Sequence, residues 1–562
     1  MTPRELFERH RPVLEAAVAA ARGRGYWSPF AEMPSPRSYG ETAAADGEAA
    51  FRARLGAPFA IAQPGTGARV GAERSPYGFD LGVTYPPPDV DALLAAARGA
   101  MPAWRRVGPD GRAGVCAEIL FRLNARSFEI AQAVMHTTGQ AFMMAFQAGG
   151  PHAQDRGLEA VAYGWKAMTD QVPATRWEKP QGKNPPLVMD KTFEVTGRGV
   201  ALVIGCATFP TWNGYPGLFA SLVTGNAVVV KPHPGAILPL AITVEVCREV
   251  LAAAGLDPDL VTLAADTAAA PITADLALRP EVKLIDFTGS SAFGDWLEAN
   301  ARQARVFTEK AGVNTVVIDS TDDPKGMTRN LAFSLSLYSG QMCTTPQAIF
   351  VPRDGIRTGD GTMGFDAVVT ALVRGVDGLL SDPARAVEVL GAIQSDATLD
   401  RIAGAAGLGT VVLASRAVEH PAFPQARVRT PLILTVDAGD EAAYGEERFG
   451  PVTFIVKVRD TADALDRATR LARTRGALTA ALYTRDPALA ASARDAFVEA
   501  GVALSVNLTG GVFVNQSAAF SDFHGTGANP ACNAALCDLD FVAGRFRVVQ
   551  SREPAAAAPA AA

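Results

Sequence analysis

One segment of this sequence is well suited to holding a phosphate. Phe287-Thr288-Gly289-Ser290-Ser291-Ala292-Phe293-Gly294 follows the apolar run V-K-L-I-D-F and opens the helical pattern F-G-D-W-L-E-A-N. Glycine and small hydroxyl residues at a helix start leave backbone N–H groups free for an anion. Lys231 closes a second apolar run, A-V-V-V-K, where its ammonium can donate to ribose hydroxyls. The usual G-x-G-x-x-G fingerprint is absent; Gly65, Gly67 and Gly71 approach it, but with the wrong spacing and no strand leading in. Cys343 and Glu309 have the residue types of a nucleophile and a general base, although each alone also reads as a buried thiol and a solvated carboxylate. The six cysteines are widely scattered, and Cys532 and Cys537 lack the spacing of a zinc site. The six histidines form no ligand cluster, so no catalytic metal is expected.

The elements that must carry these residues alternate. Gly199–Gly205, Ala227–Lys231, Val261–Ala265 and Val282–Phe287 read as buried strands, and Pro239–Leu251 as a helix capped by Gly255. The alternation restarts after Phe307, with strands expected at Thr315–Ile318, Ala348–Val351, Leu432–Val436, Val452–Val458, Leu478–Tyr483 and Val502–Val506. Continuous apolar strands between amphipathic helices indicate parallel βαβ units, hence an α/β fold with two successive domains. Residues 1–85 read as an N-terminal extension packed on the body, and the Ala/Pro stretch 553–562 as a disordered tail. The formal charge of −6, without basic runs, argues against nucleic-acid binding. No apolar stretch is long enough for a membrane span and no signal-peptide pattern opens the chain, so a cytoplasmic location is expected.

Several motifs, in order, resemble the aldehyde dehydrogenase superfamily over about residues 89–552. They are D-V-D-A-L-L-A-A-A-R-G-A-M-P-A-W from Asp89, T-T-G-Q from Thr137, G-N-A-V-V-V-K-P from Gly225 and F-T-G-S-S-A-F-G from Phe287. F-T-E-K-A-G-V-N from Phe307, S-G-Q-M-C-T from Ser339 and E-R-F-G-P-V from Glu447 complete the set, and the 34 positions from Glu309 to Cys343 fit the family. Within it, the long extension, T-F-P-T-W (Thr208 to Trp212) and F-H-G-T-G (Phe523 to Gly527) look most like the group of the phenylacetic acid degradation protein PaaN. That group is similar to the dehydrogenase half of ring-opening bifunctional enzymes, whose hydratase activity is not expected here.

The resemblance implies an aldehyde dehydrogenase-like fold: two Rossmann-like α/β domains with an oligomerisation β-hairpin and C-terminal strand. The cofactor-binding domain would span 86–308, its hairpin about 175–197, the catalytic domain 309–510 and a C-terminal segment 511–552. It implies Cys343 as the thioester-forming nucleophile and Glu309 as the base. Lys231, His233, Thr288, Gly289, Ser290, Gly294, Glu447 and Phe449 would bind the dinucleotide. Two departures stand out. The family's oxyanion Asn is replaced by Thr208, for which the threonine hydroxyl, Asn213 or the Cys343 N–H are alternative donors. The loss of one such donor costs roughly 10²–10³ in rate. Pro234 stands where NAD-preferring members place Glu, so NADP is expected over NAD, with Lys231 and His233 attracting the 2′-phosphate. The implied substrate is a CoA-linked semialdehyde from ring opening in phenylacetate breakdown. The alternatives are a CoA-acylating or generic aldehyde dehydrogenase, and an inactive nucleotide-binding scaffold. Leu187–Val195 and Arg545–Gln550 match the family's assembly strands, which implies a homodimer or homotetramer.

Overall fold

The computed structural model describes residues 1–555. Its first sheet is parallel and five-stranded, in the order Val261–Leu263, Ala227–Lys231, Val200–Ile204, Val282–Thr288, Arg305–Glu309. Val200–Ile204 and Ala227–Lys231 are buried at every position, which is why they read as unbroken apolar runs rather than alternating ones. Helices pack against it: Pro210–Val223 on Val200–Ile204 and Ala227–Lys231, Leu238–Ala253 on Val261–Leu263, Thr273–Leu278 on Val282–Thr288, and Ser291–Asn300 on Arg305–Glu309.

The second sheet has seven strands, in the order Thr410–Leu413, Leu432–Asp437, Val452–Val458, Ala348–Pro352, Thr315–Ile318, Thr479–Tyr483, Ala503–Val506. Six run parallel, and the edge strand Thr410–Leu413 runs antiparallel. Along Val452–Val458, Phe454 and Val456 join the core on one face and Ile455 the core on the other, the period of two that a covered sheet requires.

A third, antiparallel sheet stands apart from both. Ala174–Gln181 and Asn184–Gly197 form a hairpin, and Phe546–Pro554 pairs with its second strand from Gly197 to Met189. The first residues of the stretch expected to be tail belong to this strand: Glu553 lies opposite Asp190 and Pro554 opposite Met189. An exposed edge strand tolerates proline because its outward N–H is not needed, so composition there does not end the pairing. Residues 556–562 of the expected tail lie outside the described residues.

The N-terminal extension is mostly helical. Pro3–Gly23 starts with a capping box between Thr2 and Glu5 and packs on the helices Val90–Ala125 and Pro151–Thr169. The C-terminal segment returns to the first lobe: Phe520, Cys537, Phe541 and Val542 join the core built by residues 6–301. There the fully buried Arg545 makes a two-pronged ion pair with Asp286 at 2.8 and 2.6 Å. Among the described residues, no helix is long and apolar enough to cross a membrane.

Candidate active site

The chain reaches Cys343 through an unusual turn. After the helix Pro324–Ser336, Tyr338 (φ 51°), Ser339 (φ 48°) and Gly340 (φ 62°) are all left-handed. That conformation costs a non-glycine residue roughly 1–2 kcal/mol. Buried hydrogen bonds offset it: Ser339 Oγ donates to Leu390 O (3.1 Å) and Arg429 O (2.9 Å), and the Tyr338 hydroxyl donates to Thr138 O. Gly340 is required twice over, since a Cβ there would sit 2.6 Å from Gly450 O. Gln341 and Asn314 fix the remainder. Gln341 Nε2 donates to Ala392 O at 3.0 Å, while Asn314 Nδ2 donates to Cys343 O at 2.7 Å and its Oδ1 accepts from Leu478 N and Thr479 N.

Around the thiol, three reactive atoms converge. Cys343 Sγ, a Glu309 carboxylate oxygen and a His524 ring nitrogen lie within 4.8 Å of one another. Glu309 ends the strand Arg305–Glu309, and its Oε2 accepts from Asn213 Nδ2 at 2.8 Å. Its Oε1 lies 3.0 Å from His524 Nε2, off the line of a ring N–H, so this buried oxygen has no aligned donor among the described residues. His524 Nε2 is also 3.8 Å from Cys343 Sγ. Burial opposes the ionisation of Glu309, but His524 beside it outweighs that and holds the carboxyl below the usual carboxylate range. Burial, and then the Glu309 charge, push the Cys343 thiol well up. Thr208 is half-buried on the cleft wall, with Gln140 Nε2 donating to its carbonyl at 2.7 Å.

Cys343, Glu309, Asn213 and Thr208 line a cleft of about 920 Å³ between the two larger sheets. Thr288, Gly289 and Ser290 line it where the strand Val282–Thr288 ends, and Ser290 caps the helix Ser291–Asn300. Glu447 and Phe449 line it from the second lobe, and Gly312 N donates to Glu447 at 3.5 Å. Burial pushes the Glu447 carboxyl up to about 7. Lys231 also lines the cleft, but its ammonium is paired with Asp266 at 2.6 Å. A long cleft at the carboxyl ends of parallel strands, with an exposed glycine turn at a helix start, fits a dinucleotide.

The aldehyde dehydrogenase family model matches residues 85–527. The chain belongs to the aldehyde dehydrogenase family. An N-succinylglutamate 5-semialdehyde dehydrogenase of Chromobacterium violaceum is 30% identical over 410 residues, 69% of this chain and 76% of the relative. A crystal structure of an NAD-dependent aldehyde dehydrogenase from Burkholderia multivorans matches at a TM-score of 0.97 and 60% identity, over 98% of this chain and 99% of that one. A Thermus 1-pyrroline-5-carboxylate dehydrogenase with bound NAD shares the fold, with a TM-score of 0.71 at 19% identity over 94% of this chain and 99% of that one.

In this aldehyde dehydrogenase the structure revises three expectations. Gly294 is not on the cleft wall: it is buried beneath Lys310, whose stem lies 2.6 Å from where a Cβ would stand. His233 lines the rim and is exposed, and its Nδ1 accepts from Gly235 N at 3.1 Å. Crowding of its ring by the protein, together with the Lys231 ammonium, lowers its pKa to about 4, so it brings no charge to a phosphate at neutral pH. Asn213, offered as an oxyanion donor, has its amide engaged with Glu309.

Residue-by-residue reading missed His524, Asn314 and Asp266 as members of the aldehyde dehydrogenase site. His524 stood inside F-H-G-T-G and Asn314 inside E-K-A-G-V-N, both singled out as motifs without a role for these residues. Asp266 follows the strand Val261–Leu263 with no motif around it.

Proposed function

We propose that this aldehyde dehydrogenase oxidises a semialdehyde to the acid through a thioester on Cys343. The observation that carries this reading is the meeting of a loop-pinned thiol and a buried carboxylate on the wall of a dinucleotide-sized cleft. The Cys343 sulfur adds to the aldehyde carbon, and the carbonyl electron pair moves to oxygen. A bound nicotinamide dinucleotide supplies the hydride acceptor. Lys231 and the Thr288-Gly289-Ser290 turn hold its adenosine side, while Glu447 and Phe449 hold its nicotinamide ribose and ring. The Cys343 backbone N–H and the Thr208 hydroxyl are the oxyanion donors, because Asn213 is committed to Glu309. Glu309 takes a proton from water, which then attacks the thioester.

A general base beside the sulfur favours hydrolysis over transfer to CoA, and the assembled site disfavours the inactive-scaffold alternative. The cofactor expectation shifts. Pro234 still leaves room for a 2′-phosphate, but Lys231 is balanced by Asp266 and His233 is uncharged. These observations weigh towards NAD, as in the Burkholderia multivorans protein described as NAD-dependent.

For the substrate, the resemblance to the PaaN group supports a CoA-linked semialdehyde of phenylacetate breakdown. A second reading comes from the relatives named N-succinylglutamate 5-semialdehyde dehydrogenase: an acid semialdehyde carrying a carboxylate. The exposed hairpin and the strand Phe546–Pro554 are the surfaces through which we expect a homodimer or homotetramer to form. The test is steady-state oxidation of CoA-linked, carboxylated and simple aldehydes with NAD and with NADP. Semialdehyde oxidation that vanishes in Cys343→Ala supports the proposal. No oxidation of any of them, or full activity in Cys343→Ala, overturns it.

A further inference from the structure

We propose that His524 is a catalytic residue: its Nε2 takes the proton of the Cys343 thiol, and Glu309 holds the resulting imidazolium, forming a thiol–imidazole–carboxylate relay. This rests on Cys343 being the nucleophile. The same nitrogen faces both partners, 3.8 Å from Cys343 Sγ and 3.0 Å from Glu309 Oε1. His524 and Glu309 are 3% and 2% exposed, so bulk water does not serve as the proton acceptor.

The charges in this pocket explain why such a group is needed. A thiolate formed directly beside the Glu309 carboxylate would place two like charges in a buried site. Burial and that carboxylate both push the thiol up. An imidazolium between them turns the arrangement into alternating signs. Asn213 holds the far oxygen of Glu309 and thereby presents the near one to the ring.

His524 is held in place for this task. The Trp212 indole meets its ring edge-on at 4.6 Å and 81°. The His524 carbonyl accepts from Leu536 N at 2.9 Å. Gly525 (φ 76°) follows at once, and a Cβ there would lie 2.4 Å from Cys532 Sγ, so the turn can pass only as glycine. On the far side of Trp212, the fully buried Arg156 lies 4.8 Å from its ring and donates to Leu536 O (3.1 Å) and Asp522 O (3.3 Å). The titratable groups facing His524 are therefore Glu309 from its strand and Cys343 from the nucleophile loop. Arg156 is set behind Trp212 and paired with Glu159, while Cys206 and Glu447 act on the thiol from farther off.

The relay balances as follows. The S–H bond breaks, its proton bonds to Nε2, and a sulfur lone pair forms the C–S bond while the carbonyl π pair goes to oxygen. The oxyanion pair re-forms the C=O as hydride leaves to the nicotinamide acceptor, giving the thioester. At hydrolysis a water proton passes to Glu309 while the water oxygen bonds to the acyl carbon, and the C–S pair returns to sulfur. That thiolate recovers its proton from Nε2, and Glu309 gives its proton to solvent. A histidine that merely propped Glu309 in place would leave the ionisation of the thiol unchanged.

The experiment is the rate of Cys343 alkylation by iodoacetamide against pH, in the cofactor-free full chain, for wild type, His524→Asn and His524→Ala, with Cys343→Ala as the site control. The relay predicts rapid wild-type alkylation near neutrality. It predicts a fall of about tenfold or more in both His524 variants, recovering as the pH is raised, and partial rescue of His524→Ala by added imidazole. Profiles superimposable on wild type, in variants with unchanged thermal unfolding, overturn the relay alone. Should neither variant fold, the ultraviolet absorbance of the wild-type thiolate against pH, corrected with Cys343→Ala, decides. Ionisation below the free-thiol range supports the relay, and ionisation at or above it overturns it. Full aldehyde oxidation by Cys343→Ala is the separate result that removes the nucleophile reading itself.

Discussion

The first, five-stranded sheet and residues 507–538 both deliver groups to the site, by opposite means. The strands Val200–Ile204 and Ala227–Lys231 hold Lys231 in place by a backbone ladder and continuous apolar burial, spread over many side chains. Residues 507–538 contain no helix or strand of their own, yet they carry His524 to the centre of the molecule. There side chains tie it in, some reaching its backbone from outside and some reaching from it to the backbone of neighbouring elements. Arg156 reaches Leu536 O, Asp522 O and Ser517 Oγ. Asn529 bonds Ala477 on both its N–H and C=O, and Asn533 does the same for Thr308 N and Val306 O. An irregular segment can enter a core only if every backbone group finds a partner, and a few residues then carry what a ladder shares among many. Loss of one such residue should therefore cost more than loss of one side chain from a strand.

The contrast is broken or sharpened most strongly at Arg156. Arg156→Met removes a fully buried guanidinium, leaving the buried Glu159 only Arg24, at 3.3 Å, and leaving Leu536 O and Asp522 O without their donor, and it should cost about 3–5 kcal/mol. Val229→Ala, in the middle of the five-stranded sheet, should cost only about 1–2 kcal/mol. Denaturant unfolding of both variants is the check, and an Arg156→Met no less stable than Val229→Ala would erase the distinction. Asn314→Ala comes next. It leaves Leu478 N, Thr479 N and Cys343 O without partners, for about 1–3 kcal/mol, and it should also blunt Cys343 alkylation because the loop is no longer pinned.

A pH effect follows at Glu447. With its carboxyl raised to about 7 by burial, the folded chain binds a proton there that the unfolded chain has already released. The stability of the cofactor-free protein should fall as pH climbs from the ordinary carboxylate range through about 7, and below that range the group is neutral to stability. Ribose hydroxyls donating to the ionised form should make dinucleotide binding tighten over the same window, a trend that calorimetry should find flattened in Glu447→Gln. The smallest effect is expected at the rim. His233→Lys adds a charge where the imidazole brings none, and it should move the NADP-to-NAD rate ratio towards NADP by roughly threefold to tenfold. An unchanged ratio would mean that the 2′-phosphate lies elsewhere.

The same contrast explains how much was legible in the sequence. The parallel strands were readable because burial on both faces leaves a run such as A-V-V-V-K with no polar interruption. Cys343, Glu309 and Glu447 were readable because their motifs occur in order. The antiparallel edge Thr410–Leu413 was not: T-V-V-L is only four residues long, and all but Leu413 stay at least partly exposed, as an edge strand allows. Gly294 was placed on the cleft wall because the motif does not say which glycine serves packing; its space is taken by Lys310. The charge state around Lys231 was hidden as well, since Asp266 is a neighbour only in three dimensions. His524 was within a recognised segment, but its partners lie 181 positions away at Cys343 and on a separate strand at Glu309.

The thioester itself can be caught. Glu309→Gln should still acylate, more slowly, but should fail to hydrolyse, so one equivalent of a semialdehyde substrate and NAD should leave an acyl group on the peptide containing Cys343, with one reduced cofactor formed per site. Intact-protein and peptide mass spectrometry after rapid quenching reads both quantities. Turnover by this variant at the wild-type rate with no acyl group on Cys343, or an acyl group on another cysteine, would contradict the chemistry assigned to the cleft.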